Sequence, residues 1–162
     1  MSSSRRLVNA VVMGQTQGFI NLPEAVLENS LKLARDFYRG AVESDFSECV
    51  ETYSLPPWLT QGAEDWIPSV EHMGFERTKS GGEIVATAGV DQHIDGAHGY
   101  VLLIVLHNDG LKFKQGRASH AHKAGEWYIF NDRENHGVKE VRGEGAYIGW
   151  ALPLQLKNNK MK

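Results

Sequence analysis

Apolar positions in the first third of the chain recur at helical spacing. Between Val26 and Phe37 they lie three or four residues apart, which places them on one face of a helix. Pro23 and Glu24 suit the first turn, because an amide there has no helical acceptor and a carboxylate favours the positive end of the helix dipole. Asn21 is a candidate N-cap and Gly40 a candidate end, so we expect one helix between these two residues.

The segment that follows mixes helical and helix-breaking sequence. A second, shorter helix is predicted at residues 46–53. It must end before residues 55–58, since the two prolines there cannot continue a helix. From there to Gly74 we predict a loop with short helical turns packed on the core. The helical part of the chain thus covers about residues 20–70.

From residue 75 onward the pattern changes to short apolar and β-branched runs separated by turn residues. Gly81-Gly82 precedes the first run, and Asn108-Asp109-Gly110 is a turn signal after the second. Many short strands at regular spacing are typical of an antiparallel barrel or a double-sheet sandwich. We therefore predict a mainly β fold of the α+β class. The predicted strands are residues 83–90, 100–106, 111–115, 126–130, 137–141 and 146–150.

Size and composition narrow the classes of function. The chain has 162 residues, so one domain spanning residues 1–162 is expected. A formal net charge of -3 gives no general electrostatic reason to expect nucleic-acid binding. The single cysteine, Cys49, excludes an internal disulfide and a cysteine-rich metal site.

The sequence shows neither a membrane span nor an export signal. Its apolar runs are shorter than the roughly 20 residues that a spanning helix needs. The N-terminal sequence from Met1 to Arg6 lacks the continuous apolar stretch and the cleavage site of a secretory signal. We expect a soluble cytoplasmic protein without a membrane partner.

The sequence contains three candidate metal ligands, His93, Asp95 and His136. Residues i and i+2 of a strand point to the same side, so His93 and Asp95 can bind one ion together. The third ligand, His136, must then come from another strand folded back alongside. Two histidines and one carboxylate are the ligands of a non-haem iron site, which leaves positions open for oxygen and substrate.

In its order of strands and turns the chain resembles the Fe(II)/2-oxoglutarate-dependent oxygenase superfamily, whose core is a double-stranded β-helix (jelly-roll). The resemblance covers about residues 84–155 and implies a jelly-roll at about residues 75–156, with N-terminal helices packed on it. The matching features are His93-Ile94-Asp95, the apolar run from Tyr100 to Leu106, Asn108-Asp109-Gly110-Leu111, Gly125 to Phe130, His136-Gly137-Val138, and a last strand that ends at Trp150.

The resemblance also implies an activity. Fe(II) would be held by His93, Asp95 and His136, and 2-oxoglutarate would be the cosubstrate. Its oxidative decarboxylation would drive the hydroxylation of a small molecule or of a macromolecular side chain. The sequence identifies neither the substrate nor the oligomeric state.

One family position departs from the pattern. Family members bind the distal carboxylate of 2-oxoglutarate with an Arg on the last strand, at a fixed spacing after the second His. The same spacing from His136 leads here to Ala146, and the next residue of the pattern falls on Ile148. An apolar residue cannot pair with a carboxylate, and an unpaired buried charge is costly. A cation elsewhere could replace the Arg, and Tyr100 could add a phenol hydrogen bond. The candidate cations are Lys112, Lys114, Arg117, Lys123 and Arg142.

Two alternatives stay open. The protein could have lost 2-oxoglutarate and be a non-catalytic jelly-roll that binds a metal, a ligand or a partner. Alternatively, His120, His122 and Glu126 have the His-x-His-x3-Glu spacing of a cupin metal motif, which suits zinc, manganese, iron or nickel. The glycines around this motif do not match the cupin pattern, and Glu126 after Gly125 is also explained as a turn residue.

Overall fold

The computed structural model describes residues 17–47, 49–93, 99–115, 118–139 and 145–157, with the backbone alone for residues 91–93. Two α-helices, α1 (Glu24–Glu43) and α2 (Pro57–Thr60), are followed by 3-10 turns at Ala63–Asp65 and Glu71–Met73. The strands are β1 (Gln17–Phe19), β2 (Val50–Tyr53), β3 (Phe75–Arg77), β4 (Glu83–Thr87), β5 (Val90–His93), β6 (Tyr100–Asn108), β7 (Lys112–Gln115), β8 (Ala118–His120), β9 (Glu126–Asn131), β10 (His136–Lys139) and β11 (Tyr147–Leu156).

The strands form two antiparallel sheets. The larger has the order β1-β9-β6-β11-β4-β2, with β3 also paired to β11, and the smaller has the order β5-β10-β7-β8. From β4 to β11, successive strands change sheet at every step except β7 to β8 and so wind around a common interior. The ring of Phe113 in the small sheet lies 4.7 Å from Tyr128 and 5.0 Å from Phe130 in the large sheet, so the sheets pack face to face. The prediction of a mainly β, antiparallel fold is confirmed.

Helix α1 runs further than its sequence pattern predicts. It passes Gly40 and ends at Glu43, and the residue before it, Pro23, makes no capping hydrogen bond through its side chain. Asn21 as N-cap and Gly40 as end are therefore wrong. Gly40 is tolerated because it lies on an exposed part of the helix, where even an added Cβ would have no neighbouring atoms within 4 Å. The buried side of α1 contacts β6 and β11.

The second predicted helix, at residues 46–53, is wrong. Residues 50–53 form β2, which pairs with β4 from Val50 opposite Thr87 to Tyr53 opposite Ile84. The open edge of β4 supplies hydrogen-bond partners for this segment, and such pairing overrides a weak local preference. The prediction of a loop with short helical turns after it is confirmed by α2 and the two 3-10 turns.

Two predicted strands differ from the structure by more than two residues. The segment 83–90 is interrupted at Gly89, whose φ of 127° redirects the chain, so that β4 and β5 belong to different sheets. The last strand continues through Pro153 to Leu156. Pro153 is tolerated because it lies between two partners on that edge: the first residue of β4, Glu83, lies opposite Ala151, and the last residue of β3, Arg77, lies opposite Leu154.

The large sheet has a different environment on each face. Alternate residues of a strand point to opposite faces. On one face Trp150 contacts Trp66, with ring centroids 5.8 Å apart, and α1 contacts β6, so this face packs against the helical segment. Tyr100 contacts Phe75 of β3 on the same face, with ring centroids 5.0 Å apart. The other face packs against the small sheet. In the described part of the chain, no helix is long and apolar enough to cross a membrane.

Candidate functional site

His136 occupies a central position in the small sheet. Strand β10 lies between β5 and β7, and its backbone places His136 opposite His93 on one side and Gln115 on the other. Two histidines that are distant in the sequence are thus neighbours in the sheet. This register is the arrangement that a metal site shared between the two strands requires.

The surroundings of His136 fit a metal-ligating imidazole. The side chain is buried, and its Nδ1 lies 2.8 Å from the carbonyl oxygen of Glu134. A carbonyl only accepts, so Nδ1 carries the hydrogen and, in the neutral ring, Nε2 is the basic nitrogen. Histidine ligands are commonly oriented by such a hydrogen bond to the backbone. The ring also packs on Phe130, with centroids 4.9 Å apart.

The predicted iron triad remains a prediction. Asp95 lies outside the described residues, as does Arg142, and for His93 the backbone alone is described. Among the side chains that the structure describes, no group of three or more histidine, cysteine or acidic residues is placed to hold a metal ion. The backbone register of His93 and His136 therefore carries the argument for this site.

Tyr100 and Lys114 do not lie beside His136. Tyr100 is on the helical face of the large sheet, where it packs on Phe75, although the phenol itself is buried without a hydrogen-bond partner in the described chain. Lys114 lies between Phe113 and Gln115, both of which face the interior, so it points to the outside of the small sheet. Neither position fits a group that binds the distal end of a cosubstrate at His136.

In the last strand, β11, the residue that faces the interior is neither Ala146 nor Ile148, the positions reached by counting from His136. Tyr147 faces the small sheet, and its phenol oxygen lies 2.5 Å from that of Tyr128. Ala146 precedes the strand and Ile148 points to the helical face, since it alternates with Tyr147. Both phenols are fully buried, which raises the pKa of Tyr128 and of Tyr147. At the start of β11 the interior thus contains a neutral phenol, that of Tyr147, instead of the cation of an Arg.

The described candidate cations lie away from this interior. Lys112 and Lys123 are exposed, and Arg77, which is half-buried, pairs with Glu64 at 2.7 Å on another part of the surface. Of the candidate partners for a cosubstrate carboxylate, Arg117 and Arg142 lie outside the described ranges. The described candidate cations, Lys112, Lys114 and Lys123, therefore do not point into the interior of the sheets.

The cupin-like residues are close together but are not arranged as a metal site. The rings of His120 and His122 lie 5.5 Å apart. Glu126 Oε1 accepts a hydrogen bond of 2.6 Å from the backbone N–H of Lys123, as a turn residue does. His122 is buried and stacks on Tyr128, and burial lowers its pKa to about 4, with an opposing effect from Glu126 and a further lowering by His120.

Sequence reasoning missed the part that Gln115, Tyr128 and Tyr147 play in the interior. Gln115 is buried next to His136, and its amide Nε2 donates to the carbonyl of Asn131 at 3.3 Å. The alternation of Phe113 and Gln115 in a short strand was the available signal, but it does not say which sheet the strand joins. That information comes from pairing with β10 and β8.

Comparisons with known proteins add little to this geometry. Known family models do not match the chain, and neither do curated proteins. Solved structures that match include an RmlC-like cupin protein from Desulfovibrio desulfuricans, at 18% identity and a TM-score of 0.35. The match covers 54% of this chain and 89% of that protein. Similarity at this level carries no argument about fold or activity.

Proposed function

We propose that the chain is a metal-dependent oxygenase with a double-stranded β-helix core, in which His93, Asp95 and His136 hold Fe(II). The observation that carries the proposal is the backbone pairing of His93 with His136 across β5 and β10. The alternation of successive strands between two facing antiparallel sheets supports the jelly-roll assignment.

The described residues have definite roles in this proposal. His136 offers Nε2 to the metal, and the carbonyl of Glu134 holds the ring in that tautomer. Phe113 and Phe130 pack against the imidazole, which keeps water from that side of the site. When bound, the iron would supply oxygen activation for the hydroxylation of an organic substrate.

2-Oxoglutarate belongs to the proposal as cosubstrate. Its distal carboxylate requires a cation or several hydrogen-bond donors, because an unpaired charge is costly to bury. Arg142 or Arg117 is the cation that we assign to this role. The proposed substrate is a small molecule or a macromolecular side chain, and only the assignment as an oxygenase supports this part of the proposal.

An anaerobic titration with Fe(II) and 2-oxoglutarate tests the metal and the cosubstrate separately. We expect Fe(II) to bind at one equivalent and a weak visible charge-transfer band to develop when 2-oxoglutarate is added. His93→Ala and His136→Ala should bind no iron and show no band, whereas His72→Ala, on an exposed turn, serves as the matched control. Iron binding without a band would exclude 2-oxoglutarate and leave the metal site standing.

The apolar residues Ala146 and Ile148, at the positions where the family pattern has the cosubstrate-binding Arg and its partner, favour a second candidate function, a non-catalytic jelly-roll that binds a metal or a small ligand. In that case the protein binds Fe(II) but does not consume oxygen or release succinate when 2-oxoglutarate is supplied. Measurement of oxygen uptake with the iron-loaded protein distinguishes the two functions.

A further inference from the structure

Strand β2 forms one edge of the large sheet and lacks the usual protection of an edge. Among the described strands it pairs with β4 alone, in a register without a bulge. Val50, Glu51 and Thr52 are exposed. Natural edges are commonly protected by a bulge, a proline or a lysine, because their open backbone groups otherwise bind another strand. The sequence of β2, Val-Glu-Thr-Tyr, contains neither residue, so this edge is available for strand pairing.

The pairing of β2 with β4 identifies the backbone groups that point outward. In an antiparallel pair, residues that exchange hydrogen bonds alternate with residues that do not. Cys49 accepts a hydrogen bond of 2.9 Å from the N–H of Ala88, so the pair at Cys49 is bonded and the next bonded pair is at Glu51. At Val50 and Thr52 the N–H and C=O groups therefore point away from β4, toward the open edge.

Exposed apolar side chains lie close to this edge. Of the large apolar side chains exposed in the described chain, three occur together in the sequence: Val42 is 49% exposed, Phe46 40% and Val50 45%. Phe46 lies four residues before Val50, which limits the distance between their Cα atoms to about 14 Å. Asp45 and Phe46 have φ of 57° and 61°, a left-handed conformation that is strained for a bulky residue. The chain thus holds an aromatic ring in solvent at a cost in backbone energy, and such strain is typical of functional surfaces.

We propose that β2 pairs antiparallel with β2 of a second copy of this chain, about a two-fold axis at Thr52. In this register Thr52 exchanges both backbone hydrogen bonds with Thr52 of the second copy, as its outward groups require. Glu51, the one charged residue of β2, lies opposite Tyr53 of the second copy, whose phenol is a donor for a carboxylate. These two groups already bond within one chain at 2.8 Å. A register centred on Glu51 would instead place two carboxylates side by side.

The edge is complementary to itself in hydrogen-bond direction and in charge, which favours a second copy over an unrelated strand. A strand of four residues buries little area, and a stable interface takes about 800 Å² from each partner. Val42, Phe46 and Val50 add apolar area beside the strand. We therefore expect a dimer with a Kd on the order of 10 µM. The dimer needs no metal, so it is independent of the proposed oxygenase function.

Sedimentation velocity of the full chain, from tenfold below to tenfold above that concentration, measures association, and we expect the average mass to approach twice that of the chain. Amide hydrogen exchange identifies the interface. The N–H groups of Val50 and Thr52 should exchange at least about tenfold more slowly in the dimer, whereas that of Glu51, which faces β4, should be slow at every concentration. A monomer throughout, or a dimer in which Val50 and Thr52 stay unprotected, would overturn the proposal.

Two pairs of variants complete the test. Thr52→Pro removes the outward N–H without removing a bond to β4 and should weaken association at least about tenfold, whereas Thr52→Val keeps the backbone and should associate as the wild type does. Phe46→Asn removes the exposed ring and suits the left-handed backbone, so it should weaken association without destabilising the fold. Phe19→Asn, in β1 at the other edge of the sheet, is its control and should have no effect. The amide ¹H–¹⁵N spectrum checks that each variant is folded. Equal association of Thr52→Pro and Thr52→Val would place the interface elsewhere and disprove the pairing.

Discussion

His122 stacks on Tyr128 in the space between the two sheets, with ring centroids 4.2 Å apart and 18° between the ring planes. The phenol of Tyr128 is fixed in turn by its hydrogen bond to Tyr147. Both ring nitrogens of His122 lack partners among the described residues, so in this part of the chain packing holds the imidazole in place. A side chain held by packing in spite of its polar atoms should be replaceable by an apolar ring.

Replacement of His122 by phenylalanine should stabilise the protein. The variant keeps the stack on Tyr128 and removes two buried nitrogens that have no partner among the described residues, and burial of such atoms opposes folding. We expect the free energy of unfolding at pH 7 to rise by about 1–2 kcal/mol, measured by urea denaturation. Phe113→Leu, which reduces an aromatic contact in the same interior, should instead lower it. A loss of stability in His122→Phe would show that the imidazole has bonds in solution, to water or to a ligand.

The same residue predicts a specific pH dependence. Burial holds the pKa of His122 at about 4 in the folded protein, below its ordinary value of 6.5. Above pH 6.5 the ring is neutral in both states and contributes nothing. Between pH 6.5 and 4 the unfolded chain binds a proton that the folded protein does not, so stability falls by up to about 3 kcal/mol. The stability difference between His122→Phe and the wild type should therefore grow over this range, as urea denaturation at each pH would show.

Carboxylates elsewhere also change the stability of the wild type at low pH. They are common to both proteins and cancel in that difference. For Phe113→Leu, which removes no titrating group, we expect a difference from the wild type that does not change with pH. If the His122→Phe difference is equally constant, the histidine is not buried in its neutral form.

The two phenols of Tyr128 and Tyr147 should be energetically coupled. Removal of one hydroxyl leaves the other buried without its partner, so Tyr128→Phe and Tyr147→Phe should each cost about 1–2 kcal/mol. The double variant has no orphaned hydroxyl and should cost less than the sum of the two. A double-mutant cycle by thermal or urea unfolding measures this coupling. Strict additivity would mean that the two hydroxyls bond to other groups.

Iron content distinguishes the two candidate metal sites. His136→Ala should lower Fe(II) affinity at least about 100-fold, since it removes a ligand and not only its support. His120→Ala is the matched variant from the cupin-like motif and should bind iron as the wild type does. Metal analysis after anaerobic loading and dialysis gives the result. Loss of iron from His120→Ala alone would disprove the site at His93, Asp95 and His136.

Two glycines should respond in opposite ways to alanine. Gly82 has a φ of 80°, and a Cβ there would lie 1.9 Å from the carbonyl oxygen of Ala151. Gly82→Ala should therefore destabilise the protein by about 3 kcal/mol or more. Gly40 lies within α1 with no atoms near its Cβ position, so Gly40→Ala should stabilise by about 0.5–1 kcal/mol. Thermal unfolding of the two variants tests both expectations, and similar melting temperatures would contradict them.

The positions of most strands could be predicted from the sequence, because the signals are local. Apolar runs bounded by Gly99, by Asn108 to Gly110 and by Gly125 identify β6, β7 and β9 within a few residues. The sequence also indicated a helix start near Pro23 and Glu24, although the residue before the helix is Pro23 and not Asn21. The interruption at Gly89 was not foreseen, because a glycine within a β-branched run does not reveal whether the chain changes sheet.

The sequence by itself determined which residue types could bind a metal and that short strands carry them. Only the tertiary structure decided that His93 lies opposite His136, that Tyr147 and not Ala146 faces the interior, and that His122 is buried. The reason is physical. A shift of one residue in strand register moves every side chain to the other face, and register is set by pairing between segments that are far apart in the chain.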